Sequence, residues 1–176
     1  LYFRPSPHCA GGETGRRASL RCWWEQSLGG SSPLLGIQTS GTVVSSSRSD
    51  AATLRINEIF HSIQGESSWM GVPCVFIRLA GCPLRCRYCD TEYAFREGRS
   101  RDISEIVREV VDIGCPLIEI TGGEPLAQSG VFSLITALAD AGCTVLIETS
   151  GAVDISPCDP RSIRNLDLKT PGSGES

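Results

Sequence analysis

From Leu54 onward, apolar and polar positions fall into short blocks whose period switches between two and about 3.6. RINEIFHSI (55–63) alternates and predicts a strand that runs into a turn at Gln64-Gly65-Glu66. CVFIRLAG (74–81) is a β-rich apolar run, and DISEIVREVVDIG (102–114) carries Ile103, Ile106, Val107 and Val110 on one helical face. Asp102 is placed to cap that helix, Glu105 to close a capping box, and Gly114 to stop it. PLIEIT (116–121) predicts a buried strand, residues 126–141 a helix ended by Gly142, CTVLIET (143–149) another buried strand, and NLDLKT (165–170) the start of one more.

Strands alternating with helices predict right-handed βαβ units and a parallel sheet, hence the α/β class. In such sheets ligands gather at the C-terminal strand ends. Four polar segments sit there: the loop after Gly81, then TGGEP, ETSG and LDLK. Their convergence predicts one shared site.

Residues 1–53 lack either period and are rich in Gly, Ser, Pro and Arg, which predicts a disordered or unrelated N-terminal extension despite the Trp23-Trp24 pair. The folded part is expected over 54–176, one domain with a real core. The only methionine is Met70, so a fragment or a mis-set reading frame is expected. Five arginines against three acids leave +2 in residues 1–53, and so −6 of the net −4 lies in the remainder. An acidic body argues against direct binding to a phosphate backbone. Neither an apolar run long enough to cross a bilayer nor a secretory leader is visible, which predicts a cytoplasmic protein.

Of nine cysteines, Cys82, Cys86 and Cys89 crowd into GCPLRCRYCDT with the spacing C-x3-C-x2-C. An odd count with such crowding fits a metal site in a reducing compartment better than a disulfide framework. Three thiolates can hold three corners of a four-iron cluster and leave one iron open to a small molecule. The rival, structural zinc, uses four ligands and paired knuckles. No second knuckle is present, and His8 and His61 lie outside the loop. In TGGEP the glycines permit close backbone approach, and Glu124 offers a carboxylate to an ammonium group. Arg78 suits a carboxylate ligand or an ordinary ion pair, and Gln64-Gly65-Glu66 suits a polar heterocycle. Thr91 offers a hydroxyl to Mg2+. Asp167 and Lys169, the only lysine, read as a ribose or carboxylate contact or as a solvated pair.

The runs INEIFHSIQGE, GVPCVFIRLAGCPLRCRYCDTEYAF, ITGGEP, IETSG and LDLKTPGSG closely resemble radical S-adenosylmethionine enzymes, and among them the 7-carboxy-7-deazaguanine synthase family of queuosine biosynthesis, part of a tRNA modification pathway. The similarity covers about residues 55–176. It implies a partial (β/α) barrel of the radical SAM type. It implies that Cys82, Cys86 and Cys89 ligate a 4Fe–4S cluster, and that Tyr88, Cys89, Asp90, Gly123, Glu124, Thr149, Ser150, Asp167 and Lys169 line the S-adenosylmethionine site. Ile63, Gln64, Gly65, Glu66, Arg78 and Thr121 would contact 6-carboxy-5,6,7,8-tetrahydropterin, with Glu66 and Arg78 as catalytic residues and Thr91 on Mg2+. The implied activity is a carbon–nitrogen lyase that yields 7-carboxy-7-deazaguanine and ammonia. A flavodoxin or ferredoxin would donate the electron to a homodimer.

Two departures from that family stand out. Ser67 follows QGE where the family often has glycine, which predicts a stiffer loop. The family runs on for several tens of residues past PGSG whereas this chain stops at Ser176, which predicts missing last strands and a weakly active or inactive chain. Two other functions compete: an activating enzyme for a glycyl-radical protein, and a non-catalytic metal-binding protein.

Overall fold

The computed structural model describes residues 52–175. The extension expected over residues 1–53 lies almost wholly outside them. Strands β1 (Thr53–Ile63), β2 (Pro73–Leu79), β3 (Arg99–Asp102), β4 (Leu117–Gly122), β5 (Thr144–Thr149) and β6 (Ile163–Leu166) form one sheet in the order β3-β1-β2-β4-β5-β6. Helices α1 (Ile103–Ile113) and α2 (Val131–Asp140) connect β3 to β4 and β4 to β5. The sheet is open, with β3 and β6 at its edges, as in part of a barrel. Among the described residues no helix is long and apolar enough to cross a membrane.

The parallel expectation holds for β2, β4, β5 and β6. It fails at the other side, where β1 pairs antiparallel with both β2 and β3. The short 64–72 connection cannot hold a crossover helix, so β1 and β2 close as a hairpin. Gln64-Gly65-Glu66 therefore lies beside the start of β2, at the opposite end from the cysteine loop.

Alternation along the strands sorts the sheet into two faces. Val75, Ile77, Ile118, Ile120, Val145 and Ile147 are buried, and with Ile106, Val110, Leu134, Ile135 and Leu138 of the helices they form the core. The other face carries Glu58, Phe60, Phe76, Arg78, Glu119, Thr121 and Glu148, aligned by register. Apolar side chains thus fix the helices to one face and leave the other for chemistry.

Three local expectations need correction. Asp102 stands at the N-cap of α1, but its side chain makes no capping bond, because the residue still belongs to β3. The capping box is not formed. Residues 126–141 are not one helix: Pro125–Ala127 is a 3-10 turn, and α2 starts only at Val131. Gln128 marks the break, since its side chain bonds the backbone of Arg55 and Ala80 and ties this loop across the sheet. The last strand ends at Leu166 and starts at Ile163, earlier than NLDLKT suggests.

Candidate active site

A cavity of about 490 Å3 runs along the polar face of the sheet, a volume in the usual range for small-molecule sites. Cys82, Cys86 and Cys89 line one end, with Tyr88, Asp90 and Thr91 beside them. Gly123, Thr149, Ser150, Asp167 and Lys169 border the same region from the ends of the parallel strands. Ile63, Gln64, Gly65 and Glu66 line the far end, while Arg78 and Thr121 stand between. The structure thus brings every sequence-derived site residue to this one cavity except Glu124.

The cysteine loop is held by backbone and by tail. Gly81 N donates to Ala94 O at 2.8 Å, and Cys89 N donates to Cys86 O at 3.1 Å. Arg85 folds back so that its Nη1 donates to Cys82 O at 2.7 Å, with its guanidinium 4.4 Å from the Phe95 ring centre. The PGSG segment docks on the loop: Arg87 N donates to Ser173 O at 2.9 Å, and Arg85 N donates to Glu175 Oε1 at 2.6 Å. Ser173 is buried in that contact. Burial pushes the Cys82 thiol above its ordinary range. The other described cysteines, Cys74, Cys115, Cys143 and Cys158, are free thiols, all buried or partly buried; burial raises Cys74 to about 12, as suits an inert core thiol.

The two glycines of TGGEP serve a different contact from the one their type suggests. A Cβ on Gly123 would stand 2.3 Å from Gly81 O and 2.7 Å from Cys82 Cβ, and one on Gly122 would stand 2.3 Å from Leu79 O. Their missing side chains let the end of β4 pack on the backbone that leads into the cysteine loop. Glu124 is likewise committed. It is 0% exposed, and it accepts from Leu126 N (3.1 Å), Thr149 Oγ1 (2.8 Å), Ser150 N (2.9 Å) and Ser150 Oγ (2.6 Å). With its oxygens so occupied, it braces Thr149 and Ser150 from behind, and is not the free carboxylate expected for an ammonium group.

Arg78 makes the ordinary ion pair and also faces the cavity. Its Nε donates to Glu58 Oε1 at 2.8 Å, while the residue lines the cavity. Tyr93 Oη donates to the same Glu58 oxygen at 3.1 Å. Its guanidinium lies 5.9 Å from the ring centres of Phe60 and Tyr93. Lys169 pairs with Asp167, and Thr91 Oγ1 donates to Asp90 Oδ1 at 2.7 Å, which leaves lone pairs on the Thr91 hydroxyl for a hard cation.

Sequence reasoning missed two residues. Glu119 on β4 and Glu148 on β5 also line the cavity. The available signal was a single glutamate inside each of the apolar runs PLIEIT and VLIET.

The donor set fits an iron–sulfur cluster: three thiols lie on one loop, no fourth cysteine or histidine lines the cavity, and polar side chains line the rest of it. A family profile described as the radical SAM superfamily matches residues 76–167, just over half of the chain. The chain belongs to the radical SAM superfamily. It is 52% identical over 126 residues to the 7-carboxy-7-deazaguanine synthase of Chlorobaculum tepidum, covering 72% of this chain and 57% of the relative. With that of Koribacter versatilis it shares 44% over 124 residues, 69% of this chain and 55% of the relative. The crystal structure of QueE from Escherichia coli superposes with a TM-score of 0.62 at 28% identity, covering 67% of this chain and 60% of that one. This radical SAM chain therefore spans about half the length of the curated relatives it matches.

Proposed function

We propose that the chain is the radical SAM part of a 7-carboxy-7-deazaguanine synthase, with residues 1–53 an extension outside the catalytic core. The reaction removes ammonia from 6-carboxy-5,6,7,8-tetrahydropterin with ring contraction and no net oxidation. The observation that carries this reading is the lining of a single cavity by the cysteine loop at one end, by Gln64-Gly65-Glu66 at the other, and by Arg78 and Thr121 between them. A bicyclic heterocycle with one carboxylate matches that order of groups: amide and carboxylate partners for the ring, and a guanidinium for the acid.

Cys82, Cys86 and Cys89 would hold the 4Fe–4S cluster. Its chemistry, when bound with S-adenosylmethionine, is one-electron cleavage of the sulfonium to a carbon radical that takes a hydrogen atom from substrate. Tyr88, Asp90, Gly123, Thr149, Ser150, Asp167 and Lys169 hold the cofactor, and Glu124 acts through Thr149 and Ser150. Ile63, Gln64, Gly65 and Glu66 orient the pterin. Arg78 would bind its carboxylate, and Thr91 would offer its hydroxyl to Mg2+. The electron comes from a flavodoxin or ferredoxin in the cytoplasm, and the assembly is a homodimer.

The test is turnover of 6-carboxytetrahydropterin by anaerobically reconstituted protein with S-adenosylmethionine, Mg2+ and dithionite, read by mass spectrometry. Formation of 7-carboxy-7-deazaguanine is expected. Cofactor cleavage that responds only to a protein substrate would instead identify a glycyl-radical activating enzyme. Iron-free protein holding one zinc would identify a structural metal protein.

A further inference from the structure

Glu119 belongs to none of the motifs above, yet it lines the cavity and meets the Gln64 side chain there. It is only 5% exposed. Register places it beside Phe76 of β2 and Leu146 of β5, one alternation before Thr121. Gln64 Nε2 donates to Glu119 Oε2. At its other end the Gln64 amide accepts from Glu66 N at 3.0 Å. A flipped amide would set its oxygen against a carboxylate and its NH2 against a backbone N–H, so only one orientation is compatible with both neighbours. A ligand then meets one remaining N–H and one lone pair in a set order.

We propose that Glu119 is a positioning residue: it locks the Gln64 amide so that the cavity accepts a fused heterocycle by one defined donor–acceptor edge. This deepens the reading above and rests on it only for the identity of the heterocycle. The groups facing Glu119 are Glu148 from β5, Glu66 from the turn after β1 and the Cys74 thiol from β2. Glu148 stands close enough to share a hydrogen bond with Glu119 when one of the two is protonated, and it also accepts from Thr121 Oγ1 at 2.7 Å. Burial raises Glu119 to about 7, offset by the bond from Gln64 and reinforced by Glu148 and Glu66. The hold on Gln64 is therefore charge-assisted above neutral pH and weakens below it.

Two measurements on the reconstituted protein decide the matter. In the ligand-free protein, the side-chain amide 15N–1H signals of Gln64, assigned by their loss in Gln64→Ala, should shift between pH 6 and pH 8 and become pH-independent in Glu119→Gln. With 6-carboxytetrahydropterin, Glu119→Ala should raise KM about tenfold or more, the size of one lost charge-assisted bond. Gln64→Ala should do the same, and the double variant should do no worse than either single one. Glu119→Gln, whose carbonyl still accepts from Gln64, should recover most of the loss, and S-adenosylmethionine affinity should not move. Additive losses, a wild-type KM in Glu119→Ala, or a Gln64 signal indifferent to pH would overturn the proposal. Should the pterin not be a substrate at all, the functional reading fails, while the amide titration still decides the role of Glu119.

Discussion

Ser150 donates twice to one oxygen of Glu124, from its backbone amide at 2.9 Å and from its hydroxyl at 2.6 Å. Because Glu124 is fully buried, those bonds replace its hydration and cannot be made good by water. Glu124→Ala would leave the donors of Thr149 and Ser150 without their acceptor, at a cost of about 3 kcal/mol. Glu124→Gln keeps the shape but turns an NH2 toward one of these donor groups, and should cost about 1–3 kcal/mol. Both variants should lower the denaturation midpoint and weaken S-adenosylmethionine binding in equilibrium dialysis. Wild-type cofactor affinity in Glu124→Gln would show that the brace supports folding alone.

The elements legible in the sequence are those whose burial pattern is carried by apolar side chains. β2, β4, β5 and α1 fall where Ile77, Ile118, Val145 and Ile106 put them. β3 was invisible because RSRD has no apolar side chain, and it is held by backbone pairing to β1. The start of α2 was misplaced because Leu126 continues the apolar pattern although it is buried in a 3-10 turn. For the site, the cysteine motif is local and could be read directly. Glu119 was not, because its meaning depends on Gln64, 55 positions away. The free carboxylate expected of Glu124 failed for the same reason: its partners lie on the next strand.

Ser67 shows what the departure from glycine after QGE does. Its φ is +59°, the left-handed region, where an L side chain costs about 1–2 kcal/mol. Ser67 Oγ accepts from Trp69 N at 3.3 Å, a modest local return. Ser67→Gly relieves the strain but adds backbone entropy to the unfolded chain, so a net gain of about 0.5–1 kcal/mol is expected. Ser67→Val should lose more than 1 kcal/mol, since β-branched residues tolerate this region least. Urea unfolding of the three proteins measures both. A destabilised Ser67→Gly would mean that the hydroxyl bond outweighs the strain.

Glu58 fixes the direction of Arg78. The ion pair occupies Nε, so the terminal guanidinium nitrogens remain for a ligand, and the pair is partly screened because the side chains are 17% and 42% exposed. Partial exposure keeps the stability contribution small, about 0–1 kcal/mol. The expected signature of Glu58→Gln is therefore kinetic: KM for the proposed carboxylated substrate rises by roughly fivefold with kcat nearly unchanged, as for loss of uniform binding. Arg78→Lys should raise KM much further, since an ammonium cannot bind both Glu58 and a carboxylate in the forked geometry. A fall in kcat alone for Glu58→Gln would place Glu58 in the chemical step.

Glu119 also predicts how stability varies with pH. Its ordinary value is 4.5 and burial lifts it to about 7 in the folded protein. Between those values the folded state keeps a proton that the unfolded state has lost, so linkage makes folding less favourable as pH rises. The favourable contribution is complete below about 4.5 and is lost as pH passes through 7. Asp159, held low by Arg161, acts in the opposite sense but only at far more acidic pH. Thermal midpoints measured in buffers from pH 6 to pH 8 should therefore fall for the wild type and stay flatter for Glu119→Gln, which cannot ionise. Parallel curves for the two proteins would mean that Glu119 is already ionised throughout that range, with Gln64 supplying enough compensation to hold a buried charge.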